Sequence, residues 1–201
     1  MTRWYQEKKQ EHFYKKAKKE GYRARSAYKL LQIQKKFNII KQGDIVVDLG
    51  AAPGGWSQVA LELVGEHGLV VGIDLQSIKP IDGIIFLQGD ITDEASINEL
   101  IRTIGKTGAQ TILSDMAPNI SGNYSMDHAR SIHLGQQAFN LAEHILDKHG
   151  HFVCKVFQGE LLNEFVTMLH KRFQSIKRFN PKASRKSSSE QYLICKSFKP
   201  S

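Results

Sequence analysis

Four aspartates recur where short apolar runs end: Asp48, Asp74, Asp90 and Asp115. The first opens the stretch Asp48-Leu49-Gly50-Ala51-Ala52-Pro53-Gly54-Gly55-Trp56, whose small residues let backbone come close to a ligand. Carboxylates gathered around one crevice suit a ligand carrying an ammonium group, ribose hydroxyls and an exocyclic amine, and they repel a pyrophosphate. The glycines do not fit G-x-G-x-x-G, and no Gly-Lys-Ser/Thr follows, so neither a dinucleotide fingerprint nor a P-loop is present. Any one strand-end aspartate serves equally well as a helix cap or turn closer. The set of four beside a Gly/Pro turn is what points to a site. A second chemical oddity is Lys155, inside Phe152-Val153-Cys154-Lys155-Val156-Phe157. A lysine in an apolar strand is costly unless paired, the plain alternative being an edge strand that turns it to solvent.

These residues need a scaffold that brings strand ends together. The pattern predicts strands at 44–49, 69–74, 84–88, 111–115, 151–157, 175–180 and 190–196. Helices are predicted at 56–64, 94–103, 125–148 and 161–170, with an earlier apolar stripe at 26–37 capped near Ser26. Strands alternating with helices from residue 44 onward argue for an α/β sheet with right-handed crossovers, whose ligands bind at the strand C-terminal ends. S-adenosylmethionine is a ligand with the groups the four carboxylates favour.

Charge divides the 201 residues into three. Residues 1–43 carry 13 Lys and Arg against 3 acids, residues 44–170 carry 6 against 16, and residues 171–201 carry 9 against 1. An acidic middle between two basic ends suits a chain whose ends converge on a polyanion. The Lys-rich arm supplies Lys8, Lys9, Lys15, Lys16, Lys18, Lys19, Arg23 and Arg25, and a Ser-rich loop supplies Lys182, Arg185 and Lys186. These are assigned to nucleic-acid phosphates, with Tyr14, Tyr22 and Tyr28 as base-stacking candidates, although tyrosines on a helix face are more often half-buried packing. No apolar run reaches the ~18 residues of a spanning helix, and the N-terminus lacks a signal-peptide core, so a cytoplasmic protein without membrane contact is expected. Cys154 and Cys195 form no C-x-x-C motif and read as buried thiols. Histidines 128, 133, 144, 149 and 151 lack ligand spacing, so no metal is expected and they are assigned to surface or capping positions.

Three stretches carry a resemblance: Asp48-Leu49-Gly50-Ala51-Ala52-Pro53-Gly54-Gly55-Trp56-Ser57-Gln58, Ser114-Asp115-Met116-Ala117-Pro118-Asn119, and Val153-Cys154-Lys155-Val156-Phe157-Gln158-Gly159-Glu160. In this order they resemble the FtsJ/RrmJ family of ribose 2′-O-methyltransferases, over nearly the whole chain. The resemblance implies a Rossmann-like methyltransferase fold with a seven-stranded, mostly parallel sheet, helices on both faces, and a last, antiparallel strand inserted beside the fifth. It implies a basic N-terminal helical extension at 1–40 joined to a catalytic domain at 41–201. The residues matching the family's S-adenosylmethionine pocket are Gly54, Trp56, Asp74, Asp90 and Asp115; Asp48 is left to shape the turn. A Lys-Asp-Lys-Glu tetrad maps onto Lys29, Asp115, Lys155 and Glu190.

The implied reaction is methylation of a uridine 2′-hydroxyl in the A-loop of 23S rRNA, in the 50S subunit; the length of the chain suits a monomer. Lys155 is the implied proton acceptor. A lysine with the reference pKa of ~10.4 needs desolvation or a cationic neighbour to act so, and Lys29 is available, whereas Asp115 and Glu190 favour the ammonium. Electrostatic steering of the nucleophilic oxygen is the other role open to Lys155. A tRNA ribose methyltransferase and a non-catalytic ribosome-assembly RNA-binding protein are the competing readings. Cytosine carbon-5 chemistry lacks a suitably placed cysteine, and exocyclic-amine chemistry lacks an Asn/Asp-Pro-Pro-aromatic loop.

Overall fold

The computed structural model describes residues 13–184 and 189–200. Lys8, Lys9, Arg185 and Lys186 lie outside the described residues. A short helix, α1 (residues 13–19), precedes α2 (Ala27–Phe37), and the alternating unit then runs β1 (Ile45–Leu49), α3 (Gly55–Val64), β2 (Leu69–Asp74), β3 (Ile84–Gln88), α4 (Glu94–Ile104), β4 (Ala109–Ser114), α5 (Tyr124–Ile145), β5 (Leu146–Phe157), α6 (Leu162–His170), β6 (Phe173–Phe179) and β7 (Glu190–Phe198).

The sheet order is β3-β2-β1-β4-β5-β7-β6. The first five strands are mutually parallel, and β7 runs antiparallel between β5 and β6. This is the Rossmann-like methyltransferase sheet that the resemblance implied. β1 lies between β2 and β4, so its apolar residues Val46, Val47 and Leu49 are buried from both faces. Alternation splits the core. Val47, Val71, Ile112, Phe152, Cys154 and Leu193 face α4, α5 and α6, while Val46, Val70, Leu113, Val153, Tyr192 and Ile194 face α2 and α3. Lys155 follows the parity of Val153 and is therefore on the α2 side.

β4, β5 and β6 begin at Ala109, Leu146 and Phe173, earlier than the expected 111, 151 and 175, and α5 and the Ser26 cap also differ from expectation. α5 ends at Ile145 rather than 148, because Leu146 leaves the helix to pair with Ala109 in the sheet, while Asp147, Lys148 and His149 offer no apolar group to bury. The strand then bulges, with His149 at φ 69°, before His151 resumes the ladder opposite Thr111. Ser26 precedes α2, yet its side chain makes no capping bond; its carbonyl instead accepts from the Trp56 indole at 2.9 Å.

The two basic ends meet. Lys182 N donates to Gln32 Oε1 at 2.6 Å, and Ala183 shares a small apolar cluster with Ala17 and Tyr28. Among the tyrosines of the extension, Tyr28 is buried with its hydroxyl on Glu20, and Tyr22 bonds Glu62 at 2.8 Å. Tyr14 alone of the three is exposed.

Candidate active site

A cavity of about 580 Å³ opens at the C-terminal ends of β1, β2 and β4. Gly50, Asp74, Asp90, Asp115 and the segment Met116–Asn119 contribute to its wall. Three of the four strand-end carboxylates therefore converge, as a parallel sheet with a strand-order reversal beside β1 requires. Asp74 accepts from Ala52 N at 2.9 Å and Gln76 N at 2.8 Å, which fixes the Gly/Pro turn against β2. Asp90 is held by Thr92 N and Oγ1 at 2.8 and 2.7 Å. Each carboxylate keeps acceptor capacity for a ligand.

The turn needs its glycines. Gly50 has φ 71°, and a Cβ there would lie 2.3 Å from Met116 Cγ; Gly54 has φ 107°, and a Cβ would meet Ile81 Cδ1 at 2.9 Å. Gly54 and Trp56 stand behind the cavity wall rather than on it. Gly54 caps α3 from the left-handed region, and the Trp56 side chain is buried against Tyr192, ring centroids 5.6 Å apart. The cavity lining thus brings together Asp74, Asp90 and Asp115 but not Gly54 and Trp56. Asp48 lies deeper still: its Oδ2 accepts from Ser57 Oγ at 2.6 Å, tying β1 to α3. Burial pushes its carboxyl up to about 7, against the opposing hydrogen bond from Ser57.

Beside the cavity sits a charged cluster made by two strands and a helix. Lys155 is paired in register with Tyr192, and Phe157 with Glu190, so β7 places Tyr192 and Glu190 on the face that carries Lys155. α2 covers that face and contributes Lys29. Lys155 Nζ lies 2.9 Å from Asp115 Oδ1 and also donates to the Asp115 carbonyl. Lys29 Nζ is 2.7 Å from Glu190 Oε1 and 3.9 Å from Asp115 Oδ1. Lys155 is only 8% exposed, on a strand paired on both sides, which disposes of the solvent-facing alternative. Burial drives the Asp115 carboxyl upward, but Lys155, Lys29 and the Tyr192 hydroxyl outweigh it and hold the group below the usual carboxylate range.

Tyr192 escaped the sequence reading. Its hydroxyl donates to Asp115 Oδ1 at 2.5 Å and its ring lies beneath Lys29 Nζ, 5.6 Å from the centroid. The available signal was its i+2 spacing from Glu190, which puts both on one face of a strand.

Arg23 also changes place. Its guanidinium donates to the backbone carbonyls of Pro53 at 3.3 Å, Pro80 at 2.7 Å and Lys79. Its backbone N–H bonds Gln58 Oε1 at 2.8 Å, so it braces the cofactor turn instead of reaching outward. The histidine assignment needs one correction. His128 is buried rather than at the surface, because its ring spans Phe157 O at 3.0 Å and Leu161 N at 3.1 Å and so satisfies both nitrogens. Cys154 and Cys195 are buried free thiols, and no His, Cys, Asp and Glu group suited to a metal occurs among the described residues.

A Rossmann-like sheet with a β5-β7-β6 end, a carboxylate-lined cavity and a buried lysine paired with one of those carboxylates is the arrangement of a methyltransferase. Residues 22–198 match the FtsJ-like methyltransferase family, and the chain belongs to it. It is 53% identical over 186 residues to ribosomal RNA large subunit methyltransferase E of Halorubrum lacusprofundi, covering 92% of this chain and 69% of that protein. The protein of the same name from Methanothermobacter thermautotrophicus is 46% identical over 199 residues, covering 98% of this chain and 94% of its own. Among solved structures, a Plasmodium falciparum protein described as a ribosomal RNA methyltransferase superposes with a TM-score of 0.80 at 31% identity, over 88% of this chain and 98% of that one. The chain is an enzyme, and S-adenosylmethionine is its methyl donor.

Proposed function

We propose that the protein methylates the 2′-hydroxyl of a uridine ribose in the A-loop of 23S rRNA, within the 50S subunit. The observation that carries this reading is the double membership of Asp115, which lines the cofactor cavity and anchors the lysine cluster. The names of the relatives specify large-subunit ribosomal RNA as their substrate class.

Bound S-adenosylmethionine supplies a methyl group already activated by a positive sulfur. Asp74, Asp90 and Asp115 would hold its ammonium, hydroxyl and amine groups as hydrogen-bond acceptors, and Gly54 and Trp56 would contribute backbone. What remains for the chain is alignment of the ribose oxygen and management of its proton. Lys155 has two hydrogens engaged by Asp115, at the carboxylate and the carbonyl, which leaves one tetrahedral direction for the substrate hydroxyl. As an amine it takes the 2′-proton there. Asp115 orients Lys155 and stabilises the ammonium that forms, and Tyr192 keeps Asp115 in place. Lys29, paired with Glu190, is the second cation facing Asp115.

The basic segments grip the RNA. Lys15, Lys16, Lys18, Lys19 and Lys182 supply phosphate contacts from the surface where the two ends meet, whereas Arg25 is half-buried with one guanidinium nitrogen out of solvent. The described part of the extension and the catalytic domain then act as one unit, since α2 shares the core of the α3 face. Among the described residues no helix is long and apolar enough to cross a membrane. As proposed, the enzyme acts as a monomer in the cytoplasm.

The test is incubation with methyl-labelled S-adenosylmethionine and unmethylated 50S subunits or free 23S rRNA, followed by nucleoside mapping. Label in a 2′-O-methyluridine of the A-loop is expected. Label with unmodified tRNA alone would keep the chemistry and overturn the substrate.

A further inference from the structure

The loop joining β4 to α5 has two halves of opposite character. Its first half, Asp115 to Asn119, lines the cofactor cavity. Its second half is a hydrogen-bonded frame. The Asp127 carboxylate accepts from Ser121 N and Oγ, each at 2.8 Å, and from Gly122 N at 3.1 Å, while Asn123 caps α5 through Met126 N at 3.1 Å. What this ordered frame displays is apolar: Ile120 is 65% exposed, Tyr124 59% and Met126 44%.

The Tyr124 ring is tethered. Its hydroxyl donates to the Gln158 carbonyl at 2.5 Å, three residues beyond Lys155 along the chain that carries the reacting amine. The segment after β5 is itself held from below, since buried His128 bridges Phe157 O and Leu161 N. Two loops that leave neighbouring strands β4 and β5 are thus joined through one exposed aromatic side chain.

Single exposed apolar groups are ordinary, but these sit on pre-ordered backbone next to a catalytic cluster. A tyrosine with its hydroxyl satisfied has only its ring to offer, and the tether has already restricted that ring's orientation. Every base presents a π-face, and RNA loops expose unstacked bases that settle on such rings. Three residues of extended chain span about 10 Å, a reach that a nucleotide and its neighbour cover.

We propose that Tyr124 is a base-stacking platform for the acceptor RNA: an unpaired base beside the reacting ribose lies on its ring and so presents the 2′-hydroxyl to Lys155. This rests on the reading that RNA is the acceptor. It adds a recognition residue outside both the cofactor cavity and the Lys155 cluster.

The test uses the full chain with Tyr124→Ala, Tyr124→Phe and Tyr124→Trp. Methyl transfer is followed against concentration of unmethylated 23S rRNA, free and in 50S subunits, and S-adenosylmethionine affinity is titrated separately. Tyr124→Ala is expected to raise the KM for RNA about tenfold with cofactor affinity unchanged. Tyr124→Phe and Tyr124→Trp retain an aromatic face and should stay within about threefold of the unaltered enzyme, by the same stacking argument. The added indole of Tyr124→Trp should be quenched by a single-stranded RNA oligonucleotide. An unchanged RNA KM in Tyr124→Ala, or an indole indifferent to the oligonucleotide, overturns the proposal. A KM effect confined to 50S subunits, without quenching, assigns the face to a ribosomal protein and overturns it equally. If the unaltered chain methylates no rRNA at all, the substrate reading fails, and the quenching measurement, which needs no turnover, still decides whether Tyr124 stacks on RNA.

Discussion

Lys155 and Asp48 are both ionisable groups inside a sheet, and their surroundings give them opposite fates. Lys155 has its partner in Asp115, which lines the cavity. Lys155→Ala should leave S-adenosylmethionine affinity nearly unchanged while methyl transfer falls by at least about a hundredfold, the scale of a lost acid–base group. Parallel cofactor titration and single-turnover assays check this, and near-normal turnover would remove Lys155 from the reaction. Asp48 has a single hydroxyl partner, Ser57, and burial raises its carboxyl to about 7 from an ordinary 3.8. The native state therefore keeps a proton that the unfolded chain releases between about pH 4 and 7. Stability declines across that window by on the order of 4 kcal/mol from this group and is flat above it. His151 works with the opposite sign, since burial holds its pKa near 4, so the native ring stays neutral where the unfolded one is charged, and stability rises from pH 4 toward 6.5. Urea unfolding of Asp48→Asn against the unaltered chain at pH 5 and pH 8 separates the two. The variant should gain relative stability at pH 8, and an equal difference at both pH values would contradict the assignment.

The element that joins recognition to chemistry is the stretch between α1 and α2. Gly21 O accepts from Gln58 Nε2 at 3.0 Å, Arg23 braces Pro53 and Pro80, and Ser26 O holds the Trp56 indole, so the basic extension is bolted to the start of α3. A surface arginine that gripped phosphate would be spent on RNA affinity. Arg23 is spent on three carbonyls of the Gly/Pro turn and its neighbouring loop, with the cavity-lining carboxylate Asp74 holding the other side of the same turn through Ala52. Arg23→Ala should weaken S-adenosylmethionine binding about tenfold, the order expected for losing charge-assisted hydrogen bonds, and leave the salt dependence of RNA binding unaltered. Isothermal titration and RNA binding at several salt concentrations give both readouts. A reduced salt slope with intact cofactor affinity would return Arg23 to the phosphate-binding group.

Across the whole molecule the charge is arranged rather than averaged. Two basic ends, far apart in sequence, are brought together by the Lys182–Gln32 bond and the Ala17–Tyr28–Ala183 cluster, whereas the acidic middle builds the cofactor side. RNA affinity should therefore fall steeply with salt, and replacing Lys182 by alanine should lower the slope of log affinity against log salt by about 1. A flat response between low and moderate salt would exclude a phosphate grip.

How much of this was legible depends on the range over which each feature is determined. The strands of the sheet were readable because β-branched runs such as Ile45-Val46-Val47 and Leu69-Val70-Val71 announce themselves locally, and the strand-end aspartates followed from that alternation. Lys155 stood out because a charge inside an apolar strand contradicts its neighbours. Lys29 and Glu190 had no such local contrast and came from the family resemblance alone. Tyr192 had only its i+2 spacing from Glu190 to mark it, and the antiparallel register of β7 against β5 is what sets it across from Lys155. The same holds for Arg23 and His128, whose partners lie 29 or more residues away along the chain. Periodicity and composition are properties of neighbours in sequence, and they sufficed for the sheet, the carboxylates and the basic ends. Which polar groups meet is decided by crossover and register, and that is why only the tertiary structure showed Tyr192 holding Asp115, Arg23 bracing the turn and the two basic ends forming one surface.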